Sequence, residues 1–253
     1  MRYSVCASAV YMGTPLADAV RRISALSFSA FEFWSWWDQD MDAVARAIKD
    51  TGIAPTGMCT RFVPLNLPER REEYILGLRQ SIDAAKKIGC GMLITQVGQA
   101  IPNVERSAQH ECIVEGLRAC APILESEGLT LVVEPLNTQI DHAGYYLDRS
   151  QEGFEMIGEA DSPAIRLLFD VYHQQITEGN LIQNITRNIG QIGHIHIAGN
   201  PGRHEPYLRS EVCYPTILEA LSEAGYRGDV GLEYFPSMPP DESLRKLLQV
   251  MPL

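Results

Sequence analysis

Basic residues are scarce. Lys and Arg number 21 against 32 Asp and Glu, a formal net charge of −11 over 253 residues. A general phosphate-backbone binder needs a basic stripe, so this balance argues against nucleic acid as a partner. It still leaves room for a locally basic pocket. No apolar run reaches the roughly 18 residues that mark a membrane-crossing helix, so no membrane partner is expected. The start, Met1-Arg2-Tyr3-Ser4-Val5-Cys6, lacks the apolar stretch and cleavage site of a secretory signal. The six cysteines (Cys6, Cys59, Cys90, Cys112, Cys120, Cys213) form no CxxC pair and no zinc-finger spacing. In a chain this long they are expected to be buried, reduced thiols, with Cys112 and Cys120 in the core, and the expected compartment is the cytoplasm. No GxGxxG follows the first predicted strand, which counts against a dinucleotide-binding open sheet. No linker or low-complexity tract is visible, so residues 1–253 are expected to form one domain.

What is present is a regular alternation. Strands are predicted over residues 3–6, 30–34, 53–59, 92–96, 129–134, 165–170, 192–197 and 230–233. Helices are predicted over 16–26, 41–50, 69–88, 103–127, 151–160, 180–189, 214–224 and 241–250. Leu16, Ala19, Val20, Ile23 and Leu26 recur at helical spacing. Gly52 follows Thr51 in the usual helix-stop position, Asn103 is placed as a helix cap, and Lys86-Lys87 suit the end of a helix dipole. Eight strands alternating with helices imply a parallel sheet covered by helices. The length and the count of eight favour a closed α/β fold, a single (β/α)8 TIM barrel. Its core needs no disulfides, and a hydrophobic content of 45% is ordinary for a globular chain.

Four consecutive strands carry a potential ligand at their C-terminal ends. Leu131-Val132-Val133 runs into Glu134, Leu167-Leu168-Phe169 into Asp170, Ile192-Gly193-His194-Ile195 into His196, and Val230-Gly231-Leu232 into Glu233. The spacings are 36, 26 and 37 residues, each close to one strand plus a crossover helix. In a parallel barrel those strand ends share one face. Glu134, Asp170, His196 and Glu233 are therefore expected to hold one divalent metal ion. Three carboxylates and one imidazole suit Mn²⁺ or Mg²⁺, with Co²⁺ as an alternative, ahead of structural zinc. An octahedral ion would keep two positions for the oxygens of a small α-hydroxycarbonyl or sugar substrate. It would polarise the carbonyl while a nearby carboxylate takes the adjacent proton.

Several neighbours join this expectation. His173 is a candidate hydrogen-bond donor to substrate, and Arg203 a candidate clamp through its fork of donors. Gln96, at the end of the fourth strand, is a candidate substrate contact. Trp34, Trp36 and Trp37 crowd another strand end. They are read as an apolar wall shielding substrate, with Trp34 nearest, as a hydrophobic plug, or as an interface in a homo-oligomer. Arg61 is a weaker candidate for facing the site. His194 is expected to face away from it, as a supporting or packing residue.

The motifs Glu134-Pro-Leu-Asn-Thr, Phe169-Asp170-Val-Tyr-His173, Gly179-Asn180-Leu, His194-Ile-His196-Ile-Ala-Gly, Pro201-Gly-Arg203-His204-Glu205-Pro206 and Gly231-Leu-Glu233-Tyr resemble the hydroxypyruvate isomerase family of the xylose-isomerase-like TIM-barrel superfamily. The resemblance spans nearly the whole chain and is sharpest from 130 to 236. It implies that Glu134 and Glu233 are both metal ligands and the catalytic acid/base pair. By the same resemblance Asp170 and His196 complete the metal site, and His173 and Arg203 touch substrate. The implied reaction is an enediolate isomerisation of the hydroxypyruvate to tartronate semialdehyde type. One departure is His196: the isomerases commonly carry glutamine there, while ketose 3-epimerases of the tagatose/psicose type carry histidine. The loop 199–206 is isomerase-like. A ketose 3-epimerase is thus one alternative and a metal-dependent lyase or dehydratase of a keto-sugar another. An endonuclease IV-like activity would need more histidine ligands and a basic surface.

Overall fold

Strand β1 (Tyr3–Cys6) is fully buried. It pairs in parallel with β2 (Ala30–Phe33) on one side and with β8 (Val230–Leu232) on the other, where Tyr3 sits opposite Val230. That pairing closes the sheet into an eight-stranded parallel barrel in sequence order. The structure, a computed structural model, describes residues 1–251. The remaining strands are β3 (Ala54–Cys59), β4 (Met92–Thr95), β5 (Thr130–Val133), β6 (Ile165–Asp170) and β7 (Ile192–Ile197). Around them run α1 (Ala7–Val10), α2 (Leu16–Ala25), α3 (Met41–Thr51), α4 (Arg71–Ile88), α5 (Arg106–Glu127), α6 (Ser150–Ala160), α7 (Val171–Thr177), α8 (Leu181–Arg187), α9 (Tyr214–Glu223) and α10 (Pro240–Val250). The (β/α)8 barrel expected from the alternation is the fold.

Strands of a closed parallel barrel are covered on both faces, which is why they appear in the sequence as near-continuous apolar runs. Inside, Cys59, Ile94, Val132 and Leu168 pack as a small plug. The larger core lies between strands and helices. Leu16, Ala19, Val20 and Ile23 form the buried stripe of α2. Asp40 caps α3 by accepting a 2.9 Å hydrogen bond from the Ala43 N–H. Gly52 ends that helix at a φ of 71°, in the left-handed region where glycine has no steric cost.

The structure departs from the sequence reading in identifiable places. Helix α5 begins at Arg106, with Glu105 rather than Asn103 at its cap position. Asn103 instead takes a φ of 62° in the preceding turn. Helices α1 and α7 were unmarked by periodicity, because each spans two turns or fewer. Five cysteines are buried and none is bonded, but Cys213 is exposed. The aromatic run divides. Trp36 and Trp37 meet edge to face at 5.8 Å, and Phe62 abuts Trp37 at 5.0 Å. Arg61 lies over both indoles at 5.3 and 5.8 Å, so it caps this outer cluster instead of facing the site. His194 does not face away. Residues two apart on a strand share a face, and His194 enters the barrel interior beside His196, their ring centroids 5.0 Å apart.

Candidate metal centre

Each strand end presents its side chain for a local reason. Asp170 is both the last residue of β6 and the cap of α7. Its Oδ1 accepts from the Tyr172 N–H at 2.7 Å and the His173 N–H at 3.2 Å. That fixes the carboxylate and leaves Oδ2 to the interior. Glu134 and Glu233 lie one residue beyond β5 and β8, yet their N–H groups continue the ladder to Thr95 and Ile197 at 3.1 and 3.2 Å. Pro135 then ends the strand direction after Glu134, since it offers no donor. His196 Nδ1 lies 3.5 Å from Glu134 Oε1 and 3.5 Å from Glu233 Oε2. Glu134, Asp170, His196 and Glu233 are all buried, and each offers one ligand atom within 4.8 Å of the others.

The residues fit a divalent cation. Glu134 Oε1 and His196 Nδ1 are buried and have no hydrogen-bond partner. Buried polar atoms left this way are costly unless something compensates them, and three crowded carboxylates call for positive charge. The outer oxygens are already engaged. Gln96 Nε2 donates to Glu134 Oε2 at 3.2 Å. Trp34 Nε1 donates to Glu233 Oε1 at 2.6 Å, and Arg203 pairs with Glu233 Oε2. These contacts aim the carboxylates; Glu134 keeps Oε1 free toward His196, whereas Glu233 Oε2 faces both Arg203 and His196.

Charge state follows from the surroundings. Burial alone would raise the Glu233 carboxyl, but Arg203 and then His196 outweigh it and hold it well below the usual carboxylate range. Burial raises Asp170. Burial opposes charging of His196, yet Glu32 and Glu233 overcome it and raise its pKa well above the ordinary value. Burial, then Arg203, pushes His173 down to about 3, so it is neutral. Its Nδ1 accepts from Asn137 Nδ2 at 2.7 Å, which places the proton on Nε2, 3.6 Å from Asp170 Oδ2.

A pH dependence follows. A cation needs the Nδ1 lone pair of His196, and a raised pKa means that protons occupy it until higher pH. Affinity for Mn²⁺ is therefore expected to fall as pH falls, approaching about tenfold per unit below that pKa. Mn²⁺ titrations followed by electron paramagnetic resonance at several pH values measure this. An affinity flat between about pH 5 and 8 would contradict it.

The site opens into a cavity of about 940 Å³. Trp34, Gln96, Glu134, His196, Arg203 and Glu233 line it. Asp170 and His173 are buried behind that wall, 1% and 0% exposed, so His173 faces Asp170 and not the open cavity. Phe235 meets Trp34 edge-on at 6.4 Å and adds to the apolar wall. One residue escaped the sequence reading. Glu32, 1% exposed, reaches His194 Nε2 and His196 Nε2 at 2.8 and 2.7 Å. Burial would raise it, but His196 and His194 bring its carboxyl down to about 2. Its signal was a carboxylate inside the apolar run Ala30-Phe31-Glu32-Phe33.

Residues 20–252 match the family model described as xylose isomerase-like TIM barrel. The hydroxypyruvate isomerase of Escherichia coli K12 is 31% identical over 179 residues, which is 71% of this chain and 69% of that protein. The 2-oxo-tetronate isomerase of Cupriavidus necator is 34% identical over 170 residues, 67% of this chain and 65% of that one. Among solved structures, the AP endonuclease, family 2, of Brucella melitensis superposes with a TM-score of 0.93 at 27% identity, over 98% of both chains.

Proposed function

Since this chain belongs to the xylose isomerase-like TIM-barrel family, in its hydroxypyruvate isomerase branch, we propose that it is a divalent-metal-dependent isomerase of a small α-hydroxycarbonyl acid. The observation that carries this is the convergence of Glu134, Asp170, His196 and Glu233 around two unpartnered buried atoms. The relatives named as hydroxypyruvate and 2-oxo-tetronate isomerases support the substrate class. Arg203 is the one Lys or Arg on the described cavity wall, a poor match to a nucleic-acid backbone.

Glu134, Asp170, His196 and Glu233 would hold the ion, Mn²⁺ or Mg²⁺ by the chemistry of the donors. When bound, such an ion supplies Lewis-acid polarisation of the substrate carbonyl. The chain's own residues supply the proton transfer. One of Glu134 and Glu233 takes the proton from the carbon beside the carbonyl, and one of them returns it. They stand on strands β5 and β8, separated by two others, so they can address different sides of a substrate between them. Trp34 and Arg203 hold Glu233 ionised and in place, and Gln96 does the positioning for Glu134. Trp34 and Phe235 keep water from the reacting carbon. Return of the proton to the former carbonyl carbon, with the hydroxyl proton passing to the former carbonyl oxygen, isomerises the substrate. Return to the other face of the same carbon epimerises it.

One observation favours epimerisation as a second reading. The cavity, about 940 Å³, exceeds the roughly 200 Å³ that a three-carbon hydroxyacid fills if each of its seven heavy atoms takes no more than a water's share of volume. A longer ketose fits it better. The test is deuterium incorporation. Mn²⁺-loaded protein in D₂O is offered hydroxypyruvate, a four-carbon 2-oxo acid and a panel of ketoses, followed by NMR. Exchange with appearance of an isomer of a 2-oxo acid is the expected result. A new epimer of a ketose, exchanged at C3, moves the activity to epimerisation. No exchange with any of them removes the proton-transfer mechanism.

A further inference from the structure

Glu32 touches neither the cavity nor the four converging ligand atoms, yet the interior is arranged around it. It projects from β2 across the barrel to two imidazoles on β7. One carboxylate oxygen lies 2.8 Å from His194 Nε2, the other 2.7 Å from His196 Nε2. All three side chains are about 1% exposed. The contact to His196 is a close approach outside hydrogen-bond geometry, so Glu32 Oε1 and His196 Nε2 are both left without a hydrogen-bond partner. Room for this meeting is made on β8. A Cβ at Gly231 would stand 2.5 Å from His196 Cδ2 and 2.6 Å from Glu32 Oε1, closer than real Cβ contacts, so no larger residue fits there without displacing the pair.

The geometry points to Glu32 as a positioning residue for the metal centre, with His194 as its anchor. The carboxylate fixes the Nε2 edge of His196, and so turns Nδ1 toward Glu134 and Glu233. A histidine has two ring nitrogens, and the hydrogen bond made by one decides which is free to bind. His194 occupies the other carboxylate oxygen and stops Glu32 from rotating away. The arrangement reads the same imidazole from both sides, with Glu32 at Nε2 and the ligand carboxylates at Nδ1. Glu32, His194 and His196 also lie close enough together to share an ion of their own; the 2.7–2.8 Å contacts suit an ion-free trio equally well, and the metal count distinguishes the two. This inference rests on the metal-site reading for its consequence but not for its geometry.

Two readouts separate the two. The first uses ion-free protein and its imidazole N–H protons in proton–nitrogen NMR spectra. Wild type is expected to show exchange-protected, downfield Nε2–H signals for His194 and His196, and Glu32→Gln to lose or shift both. The second is Mn²⁺ affinity by electron paramagnetic resonance titration on the full chain. Glu32→Gln is expected to weaken it about 10- to 100-fold, with one Mn²⁺ per wild-type chain at saturation. Glu32→Asp keeps the charge but shortens the reach by one methylene, so a smaller loss is expected. It serves if the glutamine variant does not fold. Absence of the protected signals in wild type overturns the inference, as does unchanged Mn²⁺ affinity in a folded Glu32 variant. Two Mn²⁺ per chain, one lost with Glu32, also overturns it in favour of a second metal site. If wild type takes up no Mn²⁺, the metal-site reading falls, and the nitrogen spectra alone decide the role of Glu32.

Discussion

Glu233→Gln is expected to lower turnover by roughly three orders of magnitude while the barrel stays folded. The expectation has two sources. A positioned carboxylate that moves a proton contributes about 10²- to 10⁴-fold, and glutamine cannot take that proton. The same side chain is one of four converging on the metal centre, so the substitution also removes a charge that would hold the cation. The fold should survive because the amide keeps the carboxylate's shape. Arg203 does not lose all compensation either, since Asp170, Glu134 and Asp141 also act on it. Steady-state turnover of whichever compound shows deuterium exchange, with circular dichroism as the folding control, measures this. Activity within tenfold of wild type would remove Glu233 from the proton-transfer role. Glu134→Gln is expected to do comparable damage, although its amide oxygen can still accept from Gln96.

Stripping the divalent ion with a chelator is expected to abolish turnover and to lower the melting temperature, with Mn²⁺ restoring both. Glu134, Asp170 and Glu233 are buried together with Arg203 as the nearest fixed cation, so the ion-free centre carries uncompensated negative charge. A ligand that binds only the folded chain stabilises it by about 2.7 kcal/mol at one hundred times its dissociation constant. At roughly 2–4 °C per kcal/mol for a chain of this size, that raises the midpoint by about 5–11 °C. Differential scanning calorimetry with and without Mn²⁺, alongside the exchange assay, covers both halves. Full activity after exhaustive chelation would refute metal dependence.

How much of this could be seen in the sequence depended on the kind of signal each residue left. Glu134, Asp170, His196 and Glu233 were visible because each ends an apolar run, and runs about one βα unit apart bring their ends to one face. Glu32 left almost no signal, because it lies within its strand and not at the end. The error over His194 shows how a single step of strand parity changes a role: two residues apart means the same face, and that face is the interior. Helix α7 was hidden by its brevity: seven residues capped by Asp170 carry too few turns for a helical period to show. The three tryptophans could not be sorted by sequence. Only the turn after β2 decides that Trp34 meets Glu233 while Trp36 and Trp37 turn outward under Arg61.

The sharing of the site among the strands divides labour along the chain. The four converging ligands and Arg203 come from β5 to β8 and the segments that follow them. Trp34, Gln96 and much of the apolar wall, including Phe62, Pro64 and Ile101, come from the loops after β2, β3 and β4. The converging ligands thus lie in the second half of the sequence and much of the apolar wall in the first, with Trp34, Gln96 and Glu32 reaching across between them. Such an architecture is modular. Changes confined to residues 61–67 and 98–102 can reshape what the cavity admits without touching a ligand, so one set of reactive groups can be re-addressed to new substrates by varying the first half of the barrel alone.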